Sequence, residues 1–229
     1  MFSYTIAGLA ITRTDDMKTA LVTGHLGFIG QHLWRALRAS DDYVPIGLDL
    51  KNGPHEDIRS CALPSADVCF HLAAQTNAHC MDAWDDANIN ILGTIRILDH
   101  YHDRVVFAAS ATSPTVPYSI SKHACEHYCD LYGARVVRMC NITGPGGHGV
   151  FESFAKASVL KIAGKGDQLR EYAPVRRAVA AFLAAALDPP STLHLVEGTK
   201  LTVMEIAELF YPDKPREFVE QAAHDMKTV

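Results

Sequence analysis

"KTALVTGHLGFIGQHLWRALRAS", residues 18–40, is the stretch on which the fold turns. Its first seven residues form a short apolar run closed by glycine, the pattern of a buried parallel strand. From Phe28 onward the apolar residues Ile29, Leu33 and Leu37 recur at helical spacing. Between strand and helix stand Gly24, Gly27 and Gly30. Gly24 can supply a tight turn, Gly27 lets a ligand approach the backbone, and Gly30 allows close helix packing. The helix amino terminus then offers unpaired N–H groups and partial positive charge suited to a pyrophosphate.

The alternation continues along the chain. "YVPIGLDL" (43–50), "DVCFHLAA" (67–74), "RVVFAAS" (104–110) and "RVVRMCN" (135–141) read as strands. "ANINILGTIRILDHYH" (87–102) and "YSISKHACEHYCDLYG" (118–133) read as helices. Strands alternating with helices predict an α/β fold, a doubly wound parallel sheet with helices on both faces. After "GPGGHG" (144–149) the regularity weakens. The pattern there predicts a helix near 151–162, a strand near 169–174 and an Ala-rich helix over 176–187. A strand over 192–198 and a helix over 202–210, capped by Thr202, complete it. The expected organisation is an extension (1–16), a dinucleotide-binding core (17–150) and a small substrate lobe (151–229). Strand 192–197 is expected to return to the core sheet.

Composition narrows the classes. Of 229 residues, 48% are hydrophobic and 21% charged, and the net charge is −5, which suits a globular protein and not a nucleic-acid binder. No apolar run reaches the roughly 18–20 residues needed to cross a bilayer. The first 16 residues lack a basic region and a small-residue cleavage site, so no secretory signal is expected, and Met17 could be an alternative start. Cys61, Cys69, Cys80, Cys125, Cys129 and Cys140 are scattered in apolar or helical surroundings. They read as reduced packing residues of a cytoplasmic protein. His123/His127 and Cys125/Cys129 each have i,i+4 spacing, but the two pairs point about 200° apart on a helix, so no metal site is expected.

Asp49, ending the second strand, stands where a carboxylate can accept hydrogen bonds from both adenosine ribose hydroxyls and repel a 2′-phosphate. That favours NAD over NADP, with Lys51 nearby pulling the other way. "HLAA" (71–74), "NILGT" (90–94), Tyr118-xxx-Lys122 and "RMCNITGPGG" (138–147) follow the GxxGxxG loop in order. With them the chain resembles an extended short-chain dehydrogenase/reductase, the family of NAD-dependent nucleotide-sugar epimerases and dehydratases, over about residues 18–210. The resemblance implies a Rossmann core with Gly24, Gly27, Phe28, Ile29 and Gly30 at the cofactor pyrophosphate and Asp57 and Ile58 at the adenine. It also implies Leu72, Ala73 and Ala74 along the cofactor groove and Asn90 beneath the active site. His71, following an apolar strand, reads as a packed core histidine.

Tyr118 and Lys122, at i and i+4, share a helix face. A tyrosine's ordinary pKa near 10 makes it a poor base unless nearby positive charge stabilises its anion. Tyr118 is therefore the expected proton carrier for a sugar hydroxyl, Lys122 its electrostatic partner and ribose ligand, and Ser110 the donor to the reacting oxygen. Only seven residues separate Ser110 from Tyr118. They can span roughly 25 Å, so convergence is open, although Pro114 and Pro117 restrict the route and Thr112 and Ser113 are rival hydroxyls. The resemblance implies a longer segment here, one that shapes the sugar pocket. "SATSPT" also lacks the Asp-Glu pair of the family's 4,6-dehydratases, which disfavours elimination.

"GKGDQLREYAPV" (164–175) resembles the family segment whose arginine binds the nucleotide diphosphate, which implies Arg170 as a substrate ligand. Asn141 matches an asparagine that contacts substrate phosphate, and Arg216 is a second phosphate candidate. The resemblance also implies a homodimer through helices 87–102 and 118–133. Relatives continue past the position of Val229, so the pocket is expected to be open or completed by another subunit. The expected function is an NAD-dependent nucleotide-sugar epimerase. Two alternatives stay open: a net NAD(P)-dependent reductase or dehydrogenase on a small carbonyl or sugar substrate, and a weakly catalytic NAD-binding protein.

Overall fold

In a computed structural model the structure describes residues 3–6, 9–12, 17–77 and 82–220; Cys80 and half of the 1–16 extension lie outside them. β1 (Ser3–Ile6) and β2 (Leu9–Thr12) pair antiparallel. The main chain path then runs through β3 (Lys18–Thr23), α1 (Phe28–Arg38), β4 (Tyr43–Leu48) and β5 (Val68–His71). Next come α2 (Ala83–Asp86), a π-helical segment Ala87–Leu92 and α3 (Gly93–Tyr101). β6 (Val105–Ser110), α4 (Pro117–Tyr132) and β7 (Arg135–Met139) follow.

Beyond β7 the elements are shorter. They are β8 (Asn141–Thr143), α5 (Val150–Lys156), β9 (Leu160–Ala163) and β10 (Leu169–Pro174). Then come α6 (Val175–Ala185), β11 (Leu193–Val196), β12 (Thr199–Thr202), α7 (Val203–Phe210) and β13 (Arg216–Val219).

Six strands form one parallel sheet in the order β11-β7-β6-β5-β3-β4. Its central strands are covered on both faces, which is why they read as continuous apolar runs; every residue of β6 is buried. On one face Leu33 and Leu37 of α1 and Ala178 and Phe182 of α6 pack against Val22, Phe70 and Val106. On the other, Ile97, Leu98 and Tyr101 of α3 and Cys125 and Cys129 of α4 pack against Leu21, Cys69 and Phe107. The doubly wound α/β fold is thus as expected. The four free thiols Cys61, Cys69, Cys125 and Cys129 belong to this core, filling it as small hydrophobes.

The carboxyl-terminal part has its own small core of Phe154, Leu160, Ile162, Ile206 and Ala207. It carries a three-stranded sheet β12-β10-β8 and the parallel pair β13-β9. α6 and β11, later in sequence, pack back onto the Rossmann core. The helix expected over 151–162 ends at Lys156, and residues 160–163 are strand instead. Two distant contacts decide this. β13 pairs with β9, and Lys214 Nζ donates to the carbonyls of Phe154, Ala155 and Ala157 at 2.7–2.9 Å. A cation on the last carbonyls stops the helix. α7 starts where expected, on a Thr202–Glu205 capping box.

Candidate functional site

The carboxyl ends of β3 to β7 meet at one edge, where ligands bind in open α/β sheets. Gly24 turns at φ +72, and a Cβ on it would lie 2.8 Å from the Ala73 nitrogen. A Cβ on Gly30 would lie 2.1 Å from the Gly24 carbonyl oxygen. Helix and loop are therefore in contact that only glycine permits. Gly27 is the N-cap of α1 and brings no capping side chain, so the first-turn N–H groups face the edge unclaimed by a side chain. Ile29 packs into the core behind this loop, and Phe28 lies at its mouth against His32 and His148. The cradle fits a dinucleotide pyrophosphate.

Asp49 is buried beside the cradle. Its Oδ2 accepts from the Leu26 N–H and its Oδ1 from the Lys51 N–H, both at 2.9 Å. A carboxylate has about four acceptor sites, so two remain for ribose hydroxyls. Lys51 Nζ donates to Leu26 O at 3.0 Å, so its ammonium is held on the loop. Asp57 is paired with Arg59 at 2.7 Å, and that hydrogen bond keeps its carboxyl below the usual range. Ile58 is buried under Gly93.

Leu72, Ala73 and Ala74 leave β5 half-buried along the same edge, and Thr23 Oγ1 accepts from the Ala73 N–H at 3.2 Å. His71 is fully buried between Thr23 Oγ1 (2.7 Å) and Thr94 Oγ1 (3.0 Å). Burial pushes its pKa down to about 3, which keeps it a neutral core histidine.

Asn90 forms the floor of the site. Its Nδ2 lies 3.0 Å from Gln75 O, Asp86 Oδ2 and Ser121 Oγ, and its Oδ1 accepts from the Gln75 N–H at 2.8 Å. The residue thus ties the loop after β5 to α4. Neither Asp86, 2% exposed, nor Gln75 carries a local sequence signal; both become visible only through Asn90.

The short segment after β6 does bring Ser110 near enough to Tyr118 for its hydroxyl to act on the phenol. Side chains of α4 shape it. Ser119 Oγ accepts from the N–H groups of Thr115 and Val116 at 3.0 and 3.2 Å, and His123 Nε2 bonds Thr112 O at 2.9 Å. Thr112 Oγ1 accepts from Ser110 Oγ at 3.0 Å. Burial raises the Tyr118 pKa, the Ser110 hydrogen bond opposes that, and the Asp86 charge adds to it. Lys122 is 4% exposed, with Nζ 4.3 Å from the centroid of the Phe107 ring. Burial lowers its pKa while Glu126 and Asp86 act to raise it. In this arrangement the groups acting on the Tyr118 phenol are Ser110 and Asp86, and the Lys122 ammonium is held on an aromatic face.

The expected substrate residues divide between two adjoining clefts. Asn141 lines one of about 120 Å³ with Glu152 and Tyr172. Its side chain donates to Glu171 O at 3.0 Å, since β8 and β10 are neighbours. Arg170 lines the other, about 250 Å³, with Lys161 and Gln168; Val150 borders both. β10 is the middle strand of its sheet, so Arg170 does not stand on an edge. Arg216 is exposed on β13 and borders neither cleft. Lys161 carries no signal in the sequence, because its strand was read as helix.

A model of the NAD dependent epimerase/dehydratase family matches residues 20–195. A UDP-glucose 4-epimerase of Mycolicibacterium smegmatis is 29% identical over 226 aligned positions, covering 72% of each chain. Those positions nearly equal the 229 residues here yet draw on 72% of them, so this chain has internal gaps against that relative. Two solved structures share the fold. A UDP-glucose 4-epimerase with UDP-glucose from Thermotoga maritima has a TM-score of 0.78 at 23% identity, covering 90% of this chain and 87% of its own. A UDP-glucuronic acid 4-epimerase from Bacillus cereus, in complex with UDP-glucuronic acid and NAD, has 0.78 at 20%, covering 89% and 86%.

Proposed function

Because the chain belongs to the NAD-dependent epimerase/dehydratase family, we propose that it inverts a ring carbon of a nucleotide sugar by transient oxidation. It is an NAD-dependent enzyme of the short-chain dehydrogenase/reductase type. The observation carrying this reading is the approach of Ser110, at the end of β6, to the Tyr118 phenol, beside a loop and helix in contact that only glycine permits. NAD, when bound, would supply a reversible hydride acceptor for the ring carbon. Gly24, Gly27, Gly30 and Asp49 would hold it. Tyr118 takes the proton of the sugar hydroxyl and later gives it back, and Ser110 holds the reacting oxygen. Lys122, with Nζ against the Phe107 ring, would be the cofactor-ribose ligand on the same helix face. Asn141 and Arg170 would hold the nucleotide diphosphate across the two clefts.

Purified protein should convert at least one UDP-, GDP- or dTDP-hexose into its epimer by NMR, with no net NADH. Stoichiometric NADH would instead favour a dehydrogenase. Retained NAD with no turnover on the whole panel would favour a binding protein.

We also infer a homodimer through helices 87–102 and 118–133, the π-helical segment with α3, and α4. Trp84 of α2 (83% exposed), Leu92 of the π-helical segment, and Ile120 and Leu131 (80%) of α4 stand bare, a concentration that supports an interface. Leu131→Glu is expected to turn a dimer into a monomer by size exclusion with light scattering; an unchanged mass would remove this face from the assembly. Among the described residues no helix is long and apolar enough to cross a membrane. The free thiols suit a reducing cytoplasm.

A further inference from the structure

Between β8 and α5 the chain runs through Gly144–Gly149, and separate contacts fasten this loop at its base and at its tip. At the base, Glu152 Oε1 accepts from Thr143 Oγ1 and from the Gly144 N–H, both at 2.7 Å. At the tip, His32 Nε2 lies 2.9 Å from Pro145 O, a contact across 113 residues of sequence. A carbonyl oxygen only accepts, so Nε2 carries the proton. Phe28 stands edge-on to His32 at 5.8 Å and to His148 of the loop at 6.5 Å. Gly144 and Gly146 adopt φ +148 and +88, turns that L side chains disfavour.

Phe28 and His32 occupy the first turns of α1, the helix whose amino terminus forms the phosphate cradle. The loop therefore crosses from the substrate clefts to the mouth of that cradle. We propose that His32 is a cofactor-retaining residue: by holding Pro145 it draws the 144–149 loop across the cradle, so that bound NAD(H) leaves slowly. The inference rests on the family's NAD dependence and on the cradle being its seat. Retention suits an epimerase, since cofactor loss between the two hydride transfers would strand an oxidised sugar.

The test measures NADH release by fluorescence after a chase with excess NAD, in wild type, His32→Ala, His32→Gln and His148→Ala. His32→Ala is expected to speed release about 2- to 10-fold, the span of one neutral hydrogen bond. His32→Gln, which keeps a donor of similar reach, should release more slowly than His32→Ala. His148→Ala, which leaves the Pro145 contact intact, should have the smaller effect. If His32→Ala does not fold, His32→Asn, too short to reach Pro145 O, takes its place against His32→Gln. Equal release from wild type and His32→Ala, or from His32→Gln and His32→Ala, overturns the proposal. A wild type that binds no NADH overturns the cofactor site itself, whereas binding with unaltered release overturns only the role of His32.

Discussion

Replacing Tyr118 by Phe is expected to lower epimerisation by about 10²–10⁴, the range carried by a positioned acid or base, while NADH binding persists. Phe preserves the ring and removes only the hydroxyl on which Ser110 acts. The phenol must lose its proton to accept one from the sugar, and burial holds that proton on. kcat/KM should therefore rise with pH from about 6 to about 9, and the residual rate of Tyr118→Phe should lack that rise. A turnover within a few-fold of wild type would remove Tyr118 from the chemistry. Loss of NADH binding together with turnover would point to a structural role instead.

Gly30→Ala is expected to lower the melting temperature and to weaken or abolish NADH binding in titration. The added Cβ would sit 2.1 Å from Gly24 O and 2.9 Å from the Gly24 carbonyl carbon and the His25 Cα. All three are backbone atoms, so no side chain can swing aside; α1 and the loop must part. Overpacking of this kind costs about 1–3 kcal/mol, or roughly 5- to 150-fold if it falls wholly on binding. Gly27→Ala gives a graded control. Its Cβ would stand 3.1 Å from Gly24 O, so its melting temperature should fall less. Equal melting temperatures for Gly30→Ala and wild type would mean that the helix does not pack on the loop in this way.

Much of the site could be read along the chain because its demands are local. A sheet buried on both faces needs apolar strands, and β3, β5, β6 and β7 all carry them. A phosphate cradle needs glycine at the turn and at the helix contact, and Gly24 and Gly30 stand at closer approaches than Gly27 within the loop. Tyr118 and Lys122 share a helix face by spacing alone. What escaped was set by partners far away in sequence. β9 is a strand because β13 pairs with it and Lys214 closes the preceding helix, a contact no periodicity near residue 160 reveals. The route from Ser110 to Tyr118 depended on Ser119 and His123 holding the intervening backbone.

By itself, then, the sequence determined the doubly wound fold, the glycine cradle and the family, since each rests on spacing within a few turns of chain. Only the tertiary structure decided the electrostatics. It half-buried Tyr118, laid Lys122 on Phe107 and brought the Asp86 charge to bear on both. It parted Asn141 and Arg170 between two clefts and brought His32 to Pro145. The physical reason is the same in each case: burial and charge act through space, and the groups that supply them here lie up to 113 residues apart.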